Sequence, residues 1–544
     1  MFDLHSMIAY NAQSYGINKH NLHTMNQHYD NQWQKLKNKA KDESYKNLTT
    51  LFEKNKNRVT DLTFEVDDVF VDFSKNWLDK EVIKELVELA NTADLKVKIK
   101  ALLTGENVNV AENKPATHIA QRKKNTESQL HQDRQQMYQV AQNYTTGKWR
   151  SAFDKKVNTV VNIGIGGSYL GPKLAVQALT ELQTNNEIKV LFYPSIDAVA
   201  LQSLLQSTDI TKTLFCISSK SLGTIETIKN TKTIIDILLK TEGYNPQENN
   251  QSFVAATANV KKVSDFNIPN THVMPFSQAT GGRFSVWSSI GFPVLMAIGQ
   301  ERFEQFLAGA QKIDHHFESA EFNCNIPVLM ALISIWYRNF MHLHAYSVIP
   351  YDARLKSLPD WLQQLMMESN GKMYDMNGKQ LQHSSSPWLF GGHGLLSQHA
   401  FFQAFHQGND VLPIDFIGVL DDENASHDSS QNYLLINMLS QSAALMNGSN
   451  DGEIQNHCPG NRPSSTLLLK EITASSLGQL LALYEHMIFV QSVIWNINCF
   501  NQPGVELGKN IARNIVDHMH EGTLKEMHLD QSTTQLLSRV LNDD

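Results

Sequence analysis

The sequence predicts an α/β protein with two mainly parallel sheets, each covered by helices on both faces. From Lys156 onward, apolar β-branched runs alternate with segments long enough for crossover helices. The apolar helical stretch IPVLMALISIWYRNFMHL then precedes a second, looser set of strand candidates. Residues 1 to 150 are polar, with helical spacing in DKEVIKELVELANTADLK, and so predict a helical arm before the sheets.

The strand candidates are short apolar runs between polar or glycine-containing segments. In the first unit they are VNTVVNIGI, IKVLFYP, TLFCISS, QSFVAAT and THVMPF. In the second unit they are AYSVIPY, SPWLFGG, VLPIDFIGVL and STLLLKEI. The run ASSLGQLLALYEHMIFVQSVIWNI predicts a last long helix before a polar tail. No segment rich in proline, glycine and serine separates the units, so we expect their boundary inside helices between residues 295 and 325.

Composition excludes several classes of protein. The chain has 544 residues, 41% of them hydrophobic and 19% charged, and no apolar run reaches the roughly eighteen residues of a membrane span. The N-terminus lacks the basic start and apolar stretch of a secretory signal, and the cysteines are scattered without a C-x-x-C pair. These features predict a cytoplasmic protein with reduced thiols and no membrane role.

Charge argues against nucleic-acid binding. The formal net charge is −8, so any positive charge aimed at a ligand must be local. The basic stretch QRKKN at 121–125 is interpreted as a solvated helix face rather than a nucleic-acid contact.

The stretch VNIGIGGSYLGP, residues 161–172, predicts a strand, a glycine turn and a helix. A dinucleotide turn of the G-x-G-x-x-G kind would need glycine where Tyr169 stands. A loop for a single phosphate would use the backbone N–H groups of Gly166, Gly167 and Ser168 at a helix start. A tight connection without a ligand is the third interpretation, and this stretch alone leaves it open.

A second loop, CISSKSLGTIET, has the same order of strand end, polar turn and helix start. Ser218, Ser219, Ser221 and Thr224 gather there with Lys220. Helix capping explains one hydroxyl residue better than four, which favours phosphate binding over capping. Because such loops follow the carboxyl ends of parallel strands, we expect both loops to face one pocket.

Two further side chains are candidates for acid–base and charge-stabilising roles. Arg283 follows two glycines in TGGRFSVWSSIG, where it would stabilise developing negative charge or form a structural salt bridge. Glu368 lies among apolar and amide neighbours in LMMESNGK, a setting that suits a general base, although a lone glutamate on a helix is more often solvated.

Histidine and lysine candidates follow. His399 and His406 are seven residues apart, which predicts one helical face, and packed histidines would give the same pattern. Neither these histidines nor the HLH at 342–344 has metal-site spacing, so no metal is predicted. Lys509 in NQPGVELGKN is interpreted as a proton donor or as a C-terminal helix charge.

Taken together, the sequence resembles the phosphoglucose isomerase family. The resemblance is carried, in order, by GIGGSYLGP, SSKSLGTIET, GGRFSVWSSIG, MESNGK, QHAFFQAFHQG, GNRPSS and YEHMIFVQSVIWNINCFNQPGVELGK, across about two thirds of the chain. It implies two sugar-isomerase domains of αβα type with helical arms at both ends. The expected bounds are 1–118 for the N-terminal arm, 119–300 and 301–510 for the domains, and 511–544 for the C-terminal arm.

The resemblance also implies an activity. Members of the family interconvert glucose 6-phosphate and fructose 6-phosphate in glycolysis and gluconeogenesis, by ring opening and a cis-enediol, without metal or other cofactor. Glu368 matches the base that moves a proton between C2 and C1, and Arg283 matches the cation that stabilises the enediolate and keeps Glu368 ionised. His399 and Lys509 match the ring-opening pair. The residues matching substrate contacts are Gly167, Ser168, Ser219, Lys220, Ser221, Thr224, Gln364 and Gln502.

The implied functional unit is a homodimer in which His399 reaches the neighbouring subunit's pocket. The sequence departs from the usual family residues at Ser221, Leu222, Gly223, Leu395, Leu396, Ser397, Met366 and Pro503. Two alternative functions are a sugar-phosphate-binding regulator without turnover and a nicotinamide-dependent oxidoreductase. All four matched catalytic residues are present, which favours the enzyme over the regulator, and Tyr169 argues against the oxidoreductase.

Overall fold

The structure is a computed structural model that describes residues 19–124, 126–180, 188–244, 251–420, 430–450 and 452–541. The N-terminal stretch used to exclude a signal, and Asn125 of the basic stretch, lie outside this range. The chain divides into two compact units, one ending at Cys499 and one beginning at Phe500.

The strands all belong to the first unit. They are β1 (Thr63–Val66), β2 (Val69–Asp72), β3 (Thr159–Ile163), β4 (Lys189–Phe192), β5 (Thr213–Ser218), β6 (Phe253–Thr257), β7 (Val273–Pro275), β8 (Ala345–Pro350), β9 (Trp388–Gly391), β10 (Ile414–Val419) and β11 (Ser464–Leu469).

The helices of the first unit are α1 (Lys19–Lys39), α2 (Leu48–Lys54), α3 (Arg58–Asp61), α4 (Lys80–Thr92), α5 (Leu95–Thr104), α6 (Gln129–Thr145), α7 (Leu170–Thr180), α8 (Ala198–Ser207), α9 (Ile225–Leu239), α10 (Phe292–Ser319), α11 (Ile326–Ile335), α12 (Leu358–Gln363), α13 (Gly394–Gln398), α14 (Phe402–Gln407), α15 (Ser430–Asn447) and α16 (Ala474–Ile494). The second unit has α17 (Pro503–Glu521) and α18 (Gln531–Leu541).

The first sheet has five parallel strands in the order β4-β3-β5-β6-β7. Its central strands β3 (TVVNI), β5 (TLFCIS) and β6 (FVAAT) are buried along their whole length, as expected for a parallel sheet covered on both faces. From β3 the chain moves to one side to reach β4 and to the other side to reach β5. A ligand site in such a sheet lies outside the carboxyl ends of the strands where the order reverses, which here are β3 and β5.

The second sheet has six strands in the order β1-β2-β11-β10-β8-β9. The pairs β8-β9, β8-β10 and β10-β11 are parallel, whereas β2 pairs antiparallel with both β1 and β11. The predicted α/β fold with mainly parallel sheets is confirmed. The antiparallel pair comes from a segment that the sequence reading assigned to the helical arm, so the arm also extends a sheet.

The core between the sheets is built on α10 and α16. A Cβ on Gly309 of α10 would lie 2.0 Å from the Ser475 carbonyl oxygen, and one on Gly478 of α16 would lie 2.1 Å from the Phe306 carbonyl oxygen. These glycines therefore let the two helix backbones touch. Helix α16 is long and apolar enough to cross a membrane, but its apolar window is 100% buried, as in a core helix.

The prediction of a solvated face for the basic stretch at 121–125 is wrong at Gln121 and Arg122, which are buried. Lys123 and Lys124 are exposed, but Arg122 is fully buried and pairs with Asp314 and Glu485. The local reason is a short 3₁₀ turn, Ala120–Arg122, that points the guanidinium inward toward two carboxylates on α10 and α16.

Candidate active site

The glycine turn after β3 meets the loop after β5 at the carboxyl edge of the first sheet. Ser218 Oγ donates to Asn162 Oδ1 (2.6 Å), and Asn162 Nδ2 donates to the Ser168 carbonyl (3.0 Å). A Cβ on Gly164 would lie 2.8 Å from the Ser218 carbonyl oxygen. The two predicted ligand loops therefore lie side by side at the point where the strand order reverses.

Gly167 brings a third segment into the site. A Cβ on Gly167 would lie 2.1 Å from the Gly282 carbonyl oxygen and 2.6 Å from the Arg283 nitrogen. Gly166 adopts φ +58°, a left-handed conformation that favours glycine, and a Cβ there would be 3.1 Å from Gln364 Nε2. Only glycine at these positions lets the turn sit against both neighbours.

The second loop keeps its polar groups available. Thr224 is the N-cap residue of α9, but its side chain makes no capping hydrogen bond. Ser219 is buried, Ser221 is exposed and accepts from Gly223 N (3.1 Å), and Lys220 is half-buried. Burial lowers the pKa of Lys220. The competing explanation for this loop, helix capping by the Thr224 side chain, is therefore wrong.

Arg283 lies in the 3₁₀ segment Gly282–Trp287 and is buried. Its Nη1 is 3.2 Å from Glu368 Oε1, its Nε donates to Ser369 Oγ (2.6 Å), and its Nη2 donates to the Cys499 carbonyl. Burial lowers the pKa of Arg283, and the nearby Glu368 opposes that shift. The guanidinium is thus fixed on three sides with one edge on a carboxylate.

Glu368 ends a π-helical segment, Gln364–Glu368, that continues α12. A π-helical turn is rare and is found frequently at functional sites. The Glu368 side chain is 18% exposed, whereas that of Arg283 is 3% exposed. The carboxylate is held by a buried cation and remains reachable from solvent.

Gln364 begins the same segment and lies beside the glycine turn. Its Nε2 faces Gly166, and its Oε1 is buried without a hydrogen-bond partner among the described residues. A buried, unpaired carbonyl oxygen at this place is free to accept a hydrogen bond from a ligand hydroxyl.

His399 and His406 do not share a helix, as their spacing had predicted. Helix α13 ends at Gln398 and α14 starts at Phe402, so a break at 399–401 separates the two histidines. His399 is exposed. His406 Nε2 lies 2.9 Å from Gln441 Oε1, which makes His406 a packing residue.

Gln502 and Lys509 lie in the second unit. Gln502 is the N-cap residue of α17, and Lys509 is in the first half of that helix, 3.0 Å from Glu506. The alternative that Lys509 is a C-terminal helix charge is therefore wrong.

Three nearby residues were missed by the sequence reading. Ser369 binds Arg283, Lys372 binds the backbone beside Glu368, and Lys262 Nζ lies 3.8 Å from where a Cβ at Gly223 would stand. Ser369 and Lys372 are part of the quoted motif MESNGK, so the motif itself was the signal.

Two of the departures from the family residues have visible surroundings. Leu222 is 3% exposed and adopts φ +46°, an uncommon conformation for a branched side chain. Met366 is fully buried in the π-helical segment and faces the core. Across the part of the chain that the structure describes, no group of three His, Cys, Asp or Glu side chains could hold a metal ion.

The chain is similar to known proteins along most of its length. A sequence model of the family described as phosphoglucose isomerase matches residues 72–537. Glucose-6-phosphate isomerase 1 of Chromohalobacter salexigens is 39% identical over 520 residues, 93% of this chain and 94% of the relative. Glucose-6-phosphate isomerase of Francisella tularensis subsp. tularensis is 38% identical over 527 residues, 91% of this chain and 97% of the relative.

A solved structure is also similar. The glucose-6-phosphate isomerase from Chlamydia trachomatis has a TM-score of 0.82 at 29% identity, covering 91% of this chain and 96% of that one. Family match, near-complete coverage and shared fold agree, and the chain belongs to the phosphoglucose isomerase family.

Proposed function

We propose that this protein interconverts glucose 6-phosphate and fructose 6-phosphate, in glycolysis and gluconeogenesis. The observation that carries the proposal is the Arg283–Glu368 pair, with 3.2 Å between Nη1 and Oε1, beside the glycine turn and the Ser/Lys loop. The relatives named glucose-6-phosphate isomerase support the substrate and the reaction.

The phosphate group is assigned to the loop formed by Ser219, Lys220, Ser221 and Thr224. The Lys220 side chain is half-buried, and the Thr224 side chain does not cap α9. An anion at this helix start would meet unpaired N–H groups, hydroxyls and one cation. Gly167, Ser168, Gln364 and Gln502 are assigned to the sugar.

The proposed reaction needs only proton transfers. His399 and Lys509 open the ring by moving a proton from the C1 hydroxyl to the ring oxygen. Glu368 then takes the C2 proton as the electrons move to the C1 carbonyl oxygen, and the proton of the C2 hydroxyl passes to that oxygen. Glu368 returns its proton to C1 as the C2 oxygen becomes the new carbonyl. Arg283 stabilises the negative charge on the enediolate oxygen.

We also propose a homodimer in which His399 completes the neighbouring subunit's site. Support comes from the exposure of His399 together with two large apolar side chains on the same segment, Trp388 (72% exposed) and Leu396 (73% exposed). Mixing two inactive variants, Glu368→Gln and His399→Ala, tests this. A shared site regains activity on subunit exchange because one site per mixed dimer is intact, and a site within one subunit regains none.

Two further assignments are proposals. The division at 119–300 and 301–510 is supported by the first sheet using strands between Thr159 and Pro275, and by the parallel strands of the second sheet lying between Ala345 and Leu469. A cytoplasmic location is supported by four unpaired cysteines, Cys216, Cys324, Cys458 and Cys499.

The direct test is an assay of EDTA-treated protein with fructose 6-phosphate, following glucose 6-phosphate with a coupled dehydrogenase. Fast turnover supports the isomerase, and incorporation of solvent deuterium at C2 of glucose 6-phosphate supports a base-catalysed enediol. Binding of sugar phosphate by calorimetry without turnover would instead favour a regulator.

A further inference from the structure

Lys372 contacts the backbone of the two residues that Arg283 contacts through their side chains. The Lys372 Nζ donates to the carbonyl oxygen of Glu368 (2.8 Å) and to that of Ser369 (2.7 Å). Arg283 meets the carboxylate of Glu368 and the hydroxyl of Ser369. Two cations therefore contact one short segment, Lys372 at its carbonyl oxygens and Arg283 at its side chains.

The segment needs such a donor because its helix ends there. Gly371 N donates back to the Met367 carbonyl (2.9 Å), and the chain leaves the helix after it. The last carbonyl groups of a helix lack intrahelical partners, and a cation near them interacts favourably with the helix dipole. Ser385 holds Lys372 in place, because its Oγ donates to the Lys372 carbonyl (2.9 Å) and accepts from its N–H (3.2 Å).

We propose that Lys372 is a positioning residue for the isomerisation: its ammonium fixes the end of the π-helical segment and so holds the Glu368 carboxylate against Arg283 at the substrate. This rests on the base role proposed for Glu368. Lys372 contacts this segment at the carbonyl oxygens of Glu368 and Ser369, so its effect reaches the substrate through Glu368 and falls on the proton-transfer step rather than on phosphate binding.

The charge on Lys372 is sensitive to its surroundings. Burial, and next to it the nearby Arg283, lower the pKa of Lys372 to about 8, although Cys499 and Glu368 oppose the shift. The side chain also borders an open cavity of about 370 Å³, lined by Arg338 and His383 as well. The cavity gives solvent access, so the ammonium loses its proton to water as the pH rises through about 8.

A rise in pH changes the Lys372 contribution to folding stability in the opposite direction from its proposed contribution to catalysis. Because the folded-state pKa lies below the value of 10.5 in an unfolded chain, the unfolded state binds more protons between these two values. The Lys372 contribution to folding stability therefore rises with pH above about 8, while the proposed contribution to catalysis falls. A loss of activity in this range cannot come from unfolding driven by Lys372.

The test compares Lys372→Met and Lys372→Arg with Lys379→Met, which removes an exposed lysine seven residues further along. For Lys372→Met we expect kcat to fall about tenfold to a hundredfold, with KM for fructose 6-phosphate changed less than about threefold. Lys372→Arg keeps its charge at high pH, so we expect the loss of kcat that the unchanged protein shows as the pH rises through about 8 to be absent from this variant.

Equal kcat for Lys372→Met and Lys379→Met would overturn the proposal, as would identical alkaline profiles for Lys372→Arg and the unchanged protein. If Lys372→Met does not fold, the Lys372→Arg profile decides. Glu368→Gln is measured in parallel: if it keeps normal turnover, the proposed base is wrong, and that failure is distinct from a failure of Lys372 alone.

Discussion

Two of the buried arginine–carboxylate groups in the described part of the protein differ in access. Arg122, Asp314 and Glu485 have side chains no more than 7% exposed. In the other group, Arg283 is 3% exposed while Glu368 is 18% exposed. The group of Arg122, Asp314 and Glu485, the sealed group, joins a turn near residue 121 to α10 and α16. In the group of Arg283 and Glu368, the open group, the carboxylate stays partly exposed to solvent. Burial of an ion pair therefore says little about function until the access of the carboxylate is known.

The sealed group also carries an uneven charge count. One arginine faces two carboxylates, and His486 Nε2 lies 2.8 Å from Asp314 Oδ1. Burial raises the pKa of Glu485 to about 7, and Arg122 opposes this. Trp287 Nε1 donates to Glu485 (2.9 Å), and Trp287 ends the 3₁₀ segment that carries Arg283. Through Trp287, the sealed group is thus hydrogen-bonded to the segment that carries Arg283 of the open group.

The largest expected effect is on catalysis by the open group. Glu368→Gln keeps the shape and a neutral partner for Arg283 but removes the base, so kcat should fall about 10²- to 10⁴-fold. Binding of fructose 6-phosphate, measured by calorimetry, should persist. The matched control is Glu485→Gln in the sealed group, for which we expect kcat within about threefold and a loss of about 1–3 kcal/mol in the free energy of unfolding. Similar kcat losses in both variants would break the comparison.

Replacing Arg122 tests whether the sealed group stabilises the fold. Arg122→Met leaves Asp314 and Glu485 buried without their cation, which should lower the free energy of unfolding by about 3–5 kcal/mol. Urea unfolding followed by fluorescence measures this. A change below about 1 kcal/mol would mean that solvent reaches the group.

Changing the open arginine conservatively tests geometry rather than charge. Arg283→Lys keeps a cation but cannot contact Glu368, Ser369 and the Cys499 carbonyl together, so kcat should fall about 10²- to 10³-fold. Steady-state kinetics at saturating substrate measures the effect. Near-normal kcat would show that charge alone suffices there.

The smallest effect concerns the glycine contact that brings Arg283 to the turn. Gly167→Ala places a Cβ 2.1 Å from the Gly282 carbonyl, and the required backbone shift should cost about 1–3 kcal/mol in substrate affinity, read as an increased KM. The control is Gly282→Ala, whose Cβ would meet nothing within 4 Å. We expect its KM to stay within about twofold, since no backbone shift is needed. Equal effects of the two changes would contradict the close approach.

Local pattern was enough to predict the strands of the parallel sheets and the position of two polar loops side by side at one sheet edge. It failed where distant segments decide the outcome. The residues next to Arg122 in sequence do not indicate that two carboxylates from α10 and α16 pair with it. The run at 63–72 is too short and polar to predict a pair of strands unless its partner strand β11 is known. The break at 399–401 was hidden because helical spacing continues through it.

The pairing of β2 with β11 has a consequence for synthesis of the chain. Asp72 pairs with Thr466, so the hairpin of β1 and β2 is synthesised about 400 residues before its partner strand β11. At roughly 5–20 residues per second, that delay is about 20–80 s. During this time the apolar side chains of β2 and its unpaired strand edge have no native cover, so early folding of this region depends on protection from aggregation while the ribosome completes the second sheet.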